Sequence, residues 1–145
     1  ATYDLKPEMS AYDVTRKAAG LIRKNKYSLA VINLANGDMV GHTGNLEAAV
    51  RAVEVIDECL GELLGTIESV GGTAIVFADH GNCEKMIDPV TGGPQTSHTM
   101  DKVFCTIVSD KKYKVRNGGL YNIAPTVLEI LGIKKPRVMA EPLIV

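Results

Sequence analysis

The sequence predicts an α/β fold, a layered, mostly parallel sheet with helices on both faces. Three observations predict it. Three segments carry apolar stripes at helical spacing, short apolar runs lie between them, and two of those runs are near-continuous, as in strands buried on both faces. The order helix, strand, helix, strand, strand, helix indicates stacked layers of the two element types. No internal repeat, low-complexity tract or linker interrupts the 145 residues, a length that suits one domain.

The elements follow in order. Ser10-Ala11-Tyr12-Asp13 has the form of a capping box, weaker with Asp than with Glu. Val14, Ala18, Leu21 and Ile22 then repeat at helical spacing to about Asn25. Ser28–Asn33 reads as the first buried strand. Just beyond it, Asp38 and His42 stand four apart, which on a helical turn places them on one face. Gly37 and Gly41 beside them permit close approach of backbone to a ligand. Leu46, Ala49, Val50, Val53, Ile56, Leu60, Leu63, Leu64 and Ile67 form one stripe of a long second helix, closed by Gly71-Gly72. Thr73–Ala78 is the second strand and runs directly into Asp79-His80-Gly81. A long loop from Asp88 to Met100, with Pro89, Gly92, Gly93 and Pro94, holds His98; such loops in a compact domain are usually functional. Val103–Val108 is the third strand. The last helix starts at Asn122 as N-cap, tolerates Pro125 in its first turn, buries Ile123, Val127, Leu128 and Leu131, and stops at Gly132. Met139 to Val145 reads as a short edge strand, with Pro142 keeping it off the interior.

Composition narrows the partners. A net charge of −1 gives no electrostatic reason to expect nucleic acid or an anionic membrane. The basic stretches at Arg23–Lys26 and Lys111–Lys114 are too short to change that and read as solvated loop charge. No apolar run approaches the roughly 20 residues needed to span a bilayer. The opening Ala1-Thr2-Tyr3-Asp4-Leu5-Lys6 has no signal-peptide apolar core. Three cysteines, an odd number without a C-x-x-C pair, fit a reducing cytoplasm better than a disulfide framework. Cys59 and Cys105 read as small core residues, whereas Cys83, three residues past His80, lies close enough to touch a site.

The chemistry concentrates in three glycine-bounded loops that hold every histidine of the chain: Asn36–His42, Asp79–Asn82 and Thr96–His98. Two of these follow predicted strands, where open α/β sheets place their ligands. Imidazole and carboxylate together are borderline-hard donors suited to Zn, Mn, Fe or Co. Asp38, His42, Asp79, His80 and His98 exceed what one tetrahedral ion needs, so two neighbouring metals are expected. The plainer reading is a set of surface turns with solvated histidines, and His98 alone would carry little weight. No Gly-x-Ser-x-Gly elbow, P-loop or G-x-G-x-x-G accompanies the cradle.

Four segments together resemble the cofactor-independent (2,3-bisphosphoglycerate-independent) phosphoglycerate mutases of the alkaline phosphatase superfamily. They are Ala1–Ser10, Asn36–Gly44, Ala78–Asn82 and Asp88–His98; Tyr121–Leu128 is less specific. The resemblance implies that residues 1–145 are the carboxyl-terminal segment of the metal-binding phosphatase domain, a partial alkaline phosphatase-like α/β domain. The amino-terminal strands, the nucleophilic serine and the phosphotransferase insert of the family would then lie outside this chain. It further implies two Mn²⁺ ions, with Zn, Co and Mg left open. Asp38, His42 and His98 would hold one; Asp79 and His80 would hold the other with groups from elsewhere. The parent reaction, glycolytic and cytoplasmic, interconverts 3-phosphoglycerate and 2-phosphoglycerate through a phosphoserine. The parent is expected to be monomeric, and the segment by itself is expected to be inactive and prone to self-association. Two other readings stay open: another hydrolase of the superfamily (phosphatase, phosphodiesterase or sulfatase), and a non-catalytic metal-binding module.

Overall fold

In the computed structural model, which describes residues 2–145, the first helix α1 (Ala11–Ile22) lies where the spacing predicts it. Ser10 precedes it but makes no side-chain cap. Its φ of −113° and ψ of 16° leave the extended region from which an N-cap hydroxyl reaches the first turn, so the expected capping box does not form. The buried face is Ala11, Thr15 and Ala19, while Val14 and Leu21 are exposed.

The short helix α2 (Asn36–Gly41) and the long helix α3 (Leu46–Ser69) carry the core. Six residues cannot hold a helix in water by themselves. α2 is held by Val40, fully buried among Ala48, Ala49 and Ala52 of α3 and Met86. The Asn36 amide also donates to the Pro7 carbonyl at 2.8 Å. α3 opens on Asn45, whose side chain accepts from the Ala48 N–H at 3.1 Å. It closes as predicted, with Gly71 at φ +67°. The Gly71 and Gly72 N–H groups return to the carbonyls of Glu68 and Ile67, both at 2.9 Å, the paired bonds of a Schellman motif. A second cluster joins Val55 and Cys59 of α3 to Ala11 of α1. Small side chains thus line the helix contacts, and Leu46, Val50 and Val53 of the predicted stripe are exposed.

The strands depart further from expectation. The fold is α/β, but the sheet has two antiparallel strands, β1 (Ala74–Phe77) and β2 (Cys105–Val108), paired from Ala74↔Val108 to Phe77↔Cys105. A near-continuous apolar run reports burial potential, not direction. Here the segment 78–104 doubles back through bridges at Gly81↔Thr99 and Ile87↔Pro94, so β2 re-enters beside β1 running the opposite way. Residues 28–33, the predicted first strand, lie outside any ladder. No strand among the described residues pairs with them, and a strand exists only where its backbone groups find a partner. The tail likewise forms one bridge, Val115↔Ile144, rather than a strand.

The chain divides into two compact units between Val108 and Ser109. In the second, α4 (Ile123–Ile130) follows a 3₁₀ turn at Leu120–Asn122. Asn122 does not cap α4; its side chain accepts from Gly119 N–H at 2.8 Å and donates to the Glu141 carbonyl at 2.7 Å. The buried Thr126 hydroxyl donates to the Asn122 carbonyl and accepts from Leu143 N–H, which pins the tail onto the helix. Gly132, at φ +68°, ends α4 where the sequence predicts. Among the described residues no helix is long and apolar enough to cross a membrane.

Candidate metal centre

Three chain segments of the first unit deliver the five candidate ligands. α2 presents Asp38 and, at its carboxyl end, His42. Asp79 and His80 follow the end of β1, and the returning segment brings His98. Asp38 Oδ1 lies 3.0 Å from His98 Nε2, 3.1 Å from His42 Nε2 and 3.9 Å from His80 Nε2. The two imidazole nitrogens of His42 and His98 are 3.1 Å apart, and the rings of His80 and His98 stack at 4.0 Å. Donor atoms of Asp38, His80 and His98 all fall within 4.8 Å of one another. Asp79 sits at the rim, 71% exposed, with its carboxylate 3.8 Å from His80 Nε2.

The far sides of the rings explain their orientation. His42 Nδ1 lies 2.6 Å from the Thr96 carbonyl. A carbonyl only accepts, so this bond places the proton on Nδ1 and leaves the Nε2 lone pair facing Asp38. His80 Nδ1 meets the Gly81 carbonyl in the same sense at 3.3 Å. Outer hydrogen bonds of this kind fix the tautomer of metal-binding histidines. The convergence of one carboxylate and several imidazole nitrogens on a small space fits a divalent transition ion.

Two neighbours that the sequence reading passed over complete the cradle. Burial works to raise the Asp38 carboxyl, but the Asn82 amide, together with the surrounding imidazoles of His42, His80 and His98, prevails and holds it below its ordinary value. The Asn82 Nδ2 group donates to Asp38 Oδ1 at 2.9 Å. Glu84 accepts from the Asn82 N–H at 2.6 Å and from the Thr99 hydroxyl, while Thr99 N–H donates to the Gly81 carbonyl at 2.9 Å. The arm that carries His98 is thereby tied to the loop that carries His80. The only sequence signal was an amide directly after Asp-His-Gly and a carboxylate two residues further on. Cys83 touches this region, but burial pushes its thiol up, away from the thiolate that would ligate a metal. Cys105 is only partly buried, not a core residue.

A family model described as the metalloenzyme superfamily matches residues 1–135. Among similar proteins, a 2,3-bisphosphoglycerate-independent phosphoglycerate mutase of Symbiobacterium thermophilum is 54% identical over 138 residues, covering 94% of this chain and 27% of that protein. One of Acetivibrio thermocellus is 51% identical over 146 residues, covering 100% of this chain and 29% of that protein. A crystal structure of Leishmania mexicana phosphoglycerate mutase at low cobalt concentration superposes with a TM-score of 0.92 at 34% identity, over 100% of this chain and 30% of that one. The chain therefore spans less than a third of the length of these relatives.

Proposed function

Because the chain belongs to the metalloenzyme superfamily, we propose that it contributes most of the metal centre of a 2,3-bisphosphoglycerate-independent phosphoglycerate mutase. The substrate pair in this reading is 3-phosphoglycerate and 2-phosphoglycerate. Identity above 50% to proteins of that name supports it, as does the likeness to the Leishmania structure. The observation that carries it is Asp38, with one carboxylate oxygen facing three imidazoles.

Asp38, His42 and His98 form one ligand set, with Asp79 and His80 belonging to a second that groups outside this chain complete. The approach of Asp38 Oδ1 to His42 and His98, at 3.1 and 3.0 Å against 3.9 Å to His80, supports that division. Manganese is the proposed ion. Mixed imidazole and carboxylate donors support it, and cobalt occupies the same chemical range. Bound divalent ions supply neutralisation of phosphoryl oxygens and a lowered pKa for an attacking hydroxyl. The residues of the chain orient donors: the Thr96 carbonyl fixes the His42 tautomer, and the Glu84–Thr99 tie holds the His98 arm. The nucleophilic serine and the glycerate-holding groups lie outside the 145 residues in this reading, and the setting is the cytoplasm.

Turnover of 3-phosphoglycerate by the full-length protein, lost on chelation and restored by Mn²⁺, is the test. The same assay on the 145-residue chain should show none. Metal-independent turnover by the full-length protein, or hydrolysis of phosphate or sulfate esters in place of isomerisation, would refute the assignment.

A further inference from the structure

Asn82 is 5% exposed, and its side chain is used asymmetrically. Nδ2 donates to Asp38 Oδ1 at 2.9 Å and approaches the Asp38 carbonyl at 3.4 Å and His42 Nε2 at 3.5 Å. The amide oxygen is buried without a hydrogen-bond partner. A buried acceptor left unpaired opposes folding, so its retention calls for a return elsewhere. The amide also lies against Gly41: a Cβ at that position would overlap Asn82 Oδ1. Alanine is otherwise the better helix residue there.

We infer that Asn82 is a positioning residue that holds the Asp38 carboxylate in its metal-binding orientation, with Gly41 keeping the space its amide needs. The inference rests on the metal-centre reading above. A carboxylate oxygen has two lone pairs. The amide engages one of those on Asp38 Oδ1 and leaves the other for an ion shared with the imidazoles. A free carboxylate would rotate about its bond to Cβ and lose that alignment.

The test is a Co²⁺ titration of the full-length protein, followed by visible absorption, beside thermal melting of the metal-free form. Asn82→Ala and Gly41→Ala are each expected to weaken Co²⁺ binding by about 10–100-fold, as loss of an outer hydrogen bond to a ligand does, and to change the shape of the absorption band. The double variant should bind no more weakly than Asn82→Ala, because the added methyl then has no amide to displace. Metal-free Asn82→Ala should melt close to the unmodified protein, since the orphaned acceptor leaves with the side chain. Gly41→Ala retains every polar group and carries the test if Asn82→Ala does not fold. Unchanged Co²⁺ affinity and band shape in both single variants, or losses that simply multiply in the double variant, would overturn the inference alone. Failure of the unmodified protein to bind Co²⁺ would overturn the metal-centre reading and this inference with it.

Discussion

Val40→Ala tests whether the core of α3 is what presents the metal ligands. Val40 lies between Asp38 and His42 on a six-residue helix and has no exposed surface. The substitution removes two methyl groups, each worth about 0.8 kcal/mol of transfer free energy, or about 1.6 kcal/mol together. A cavity term adds to this. Three of the neighbours, Ala48, Ala49 and Ala52, have no rotamers with which to fill the space; only Met86 and the partly buried Cys83 have side chains that can shift toward it. The expected loss is therefore about 2 kcal/mol, which for a domain of this size lowers the melting temperature by roughly 4–8 °C. Denaturant unfolding of the metal-free protein measures the first quantity and a thermal scan the second. Val90→Ala, at a site 91% exposed, is the control and should stay within about 0.5 kcal/mol. Val40→Ala should also weaken Mn²⁺ binding, since α2 cannot hold its shape undocked. Equal stability for the two variants would refute the claim that Val40 anchors α2.

In the 145-residue chain, calorimetric titration with Mn²⁺ should find at most one site of useful affinity, abolished by His98→Ala; two equally tight sites would contradict the proposed division of ligands. Glu84→Ala should raise amide exchange across residues 81–99 and weaken metal binding, because it frees both the Asn82 N–H and the Thr99 hydroxyl. The Thr99 hydroxyl holds the Glu84 carboxyl below its ordinary value. A depressed carboxylate stabilises at neutral pH and loses that contribution as pH falls through its folded-state value. The 81–99 segment should therefore loosen on the acid side, and loosening only at alkaline pH would refute the tie. Leu29 and Val31, 54% and 87% exposed on a segment outside any ladder, should make the isolated chain self-associate, and Val31→Lys should reduce this. Light scattering over a concentration series would detect it; a strict monomer with residues 28–33 protected from exchange would refute it.

Local chemistry was legible in the amino-acid sequence because it depends on neighbours a few residues apart. Gly71 closes α3 through bonds to residues within five positions, and Gly132 ends α4 in the same way, but the caps expected at Ser10 and Asn122 do not form. The three histidine loops stood out because imidazole and carboxylate rarely crowd behind glycines without a task, and the matched segments pointed to a metal-dependent family. Direction and facing were not legible. The Thr73–Ala78 and Val103–Val108 runs look alike whether parallel or antiparallel; the doubling back of residues 78–104 decided between them. Helical spacing marks Val50 and Val53 as readily as Ala48 and Ala52, and close approach of α2 selected the alanines. Asn82 meets Asp38 across 44 positions of sequence. Spacing along a chain constrains backbone angles over one or two turns, whereas a contact at that separation exists only once the whole path between its ends has folded.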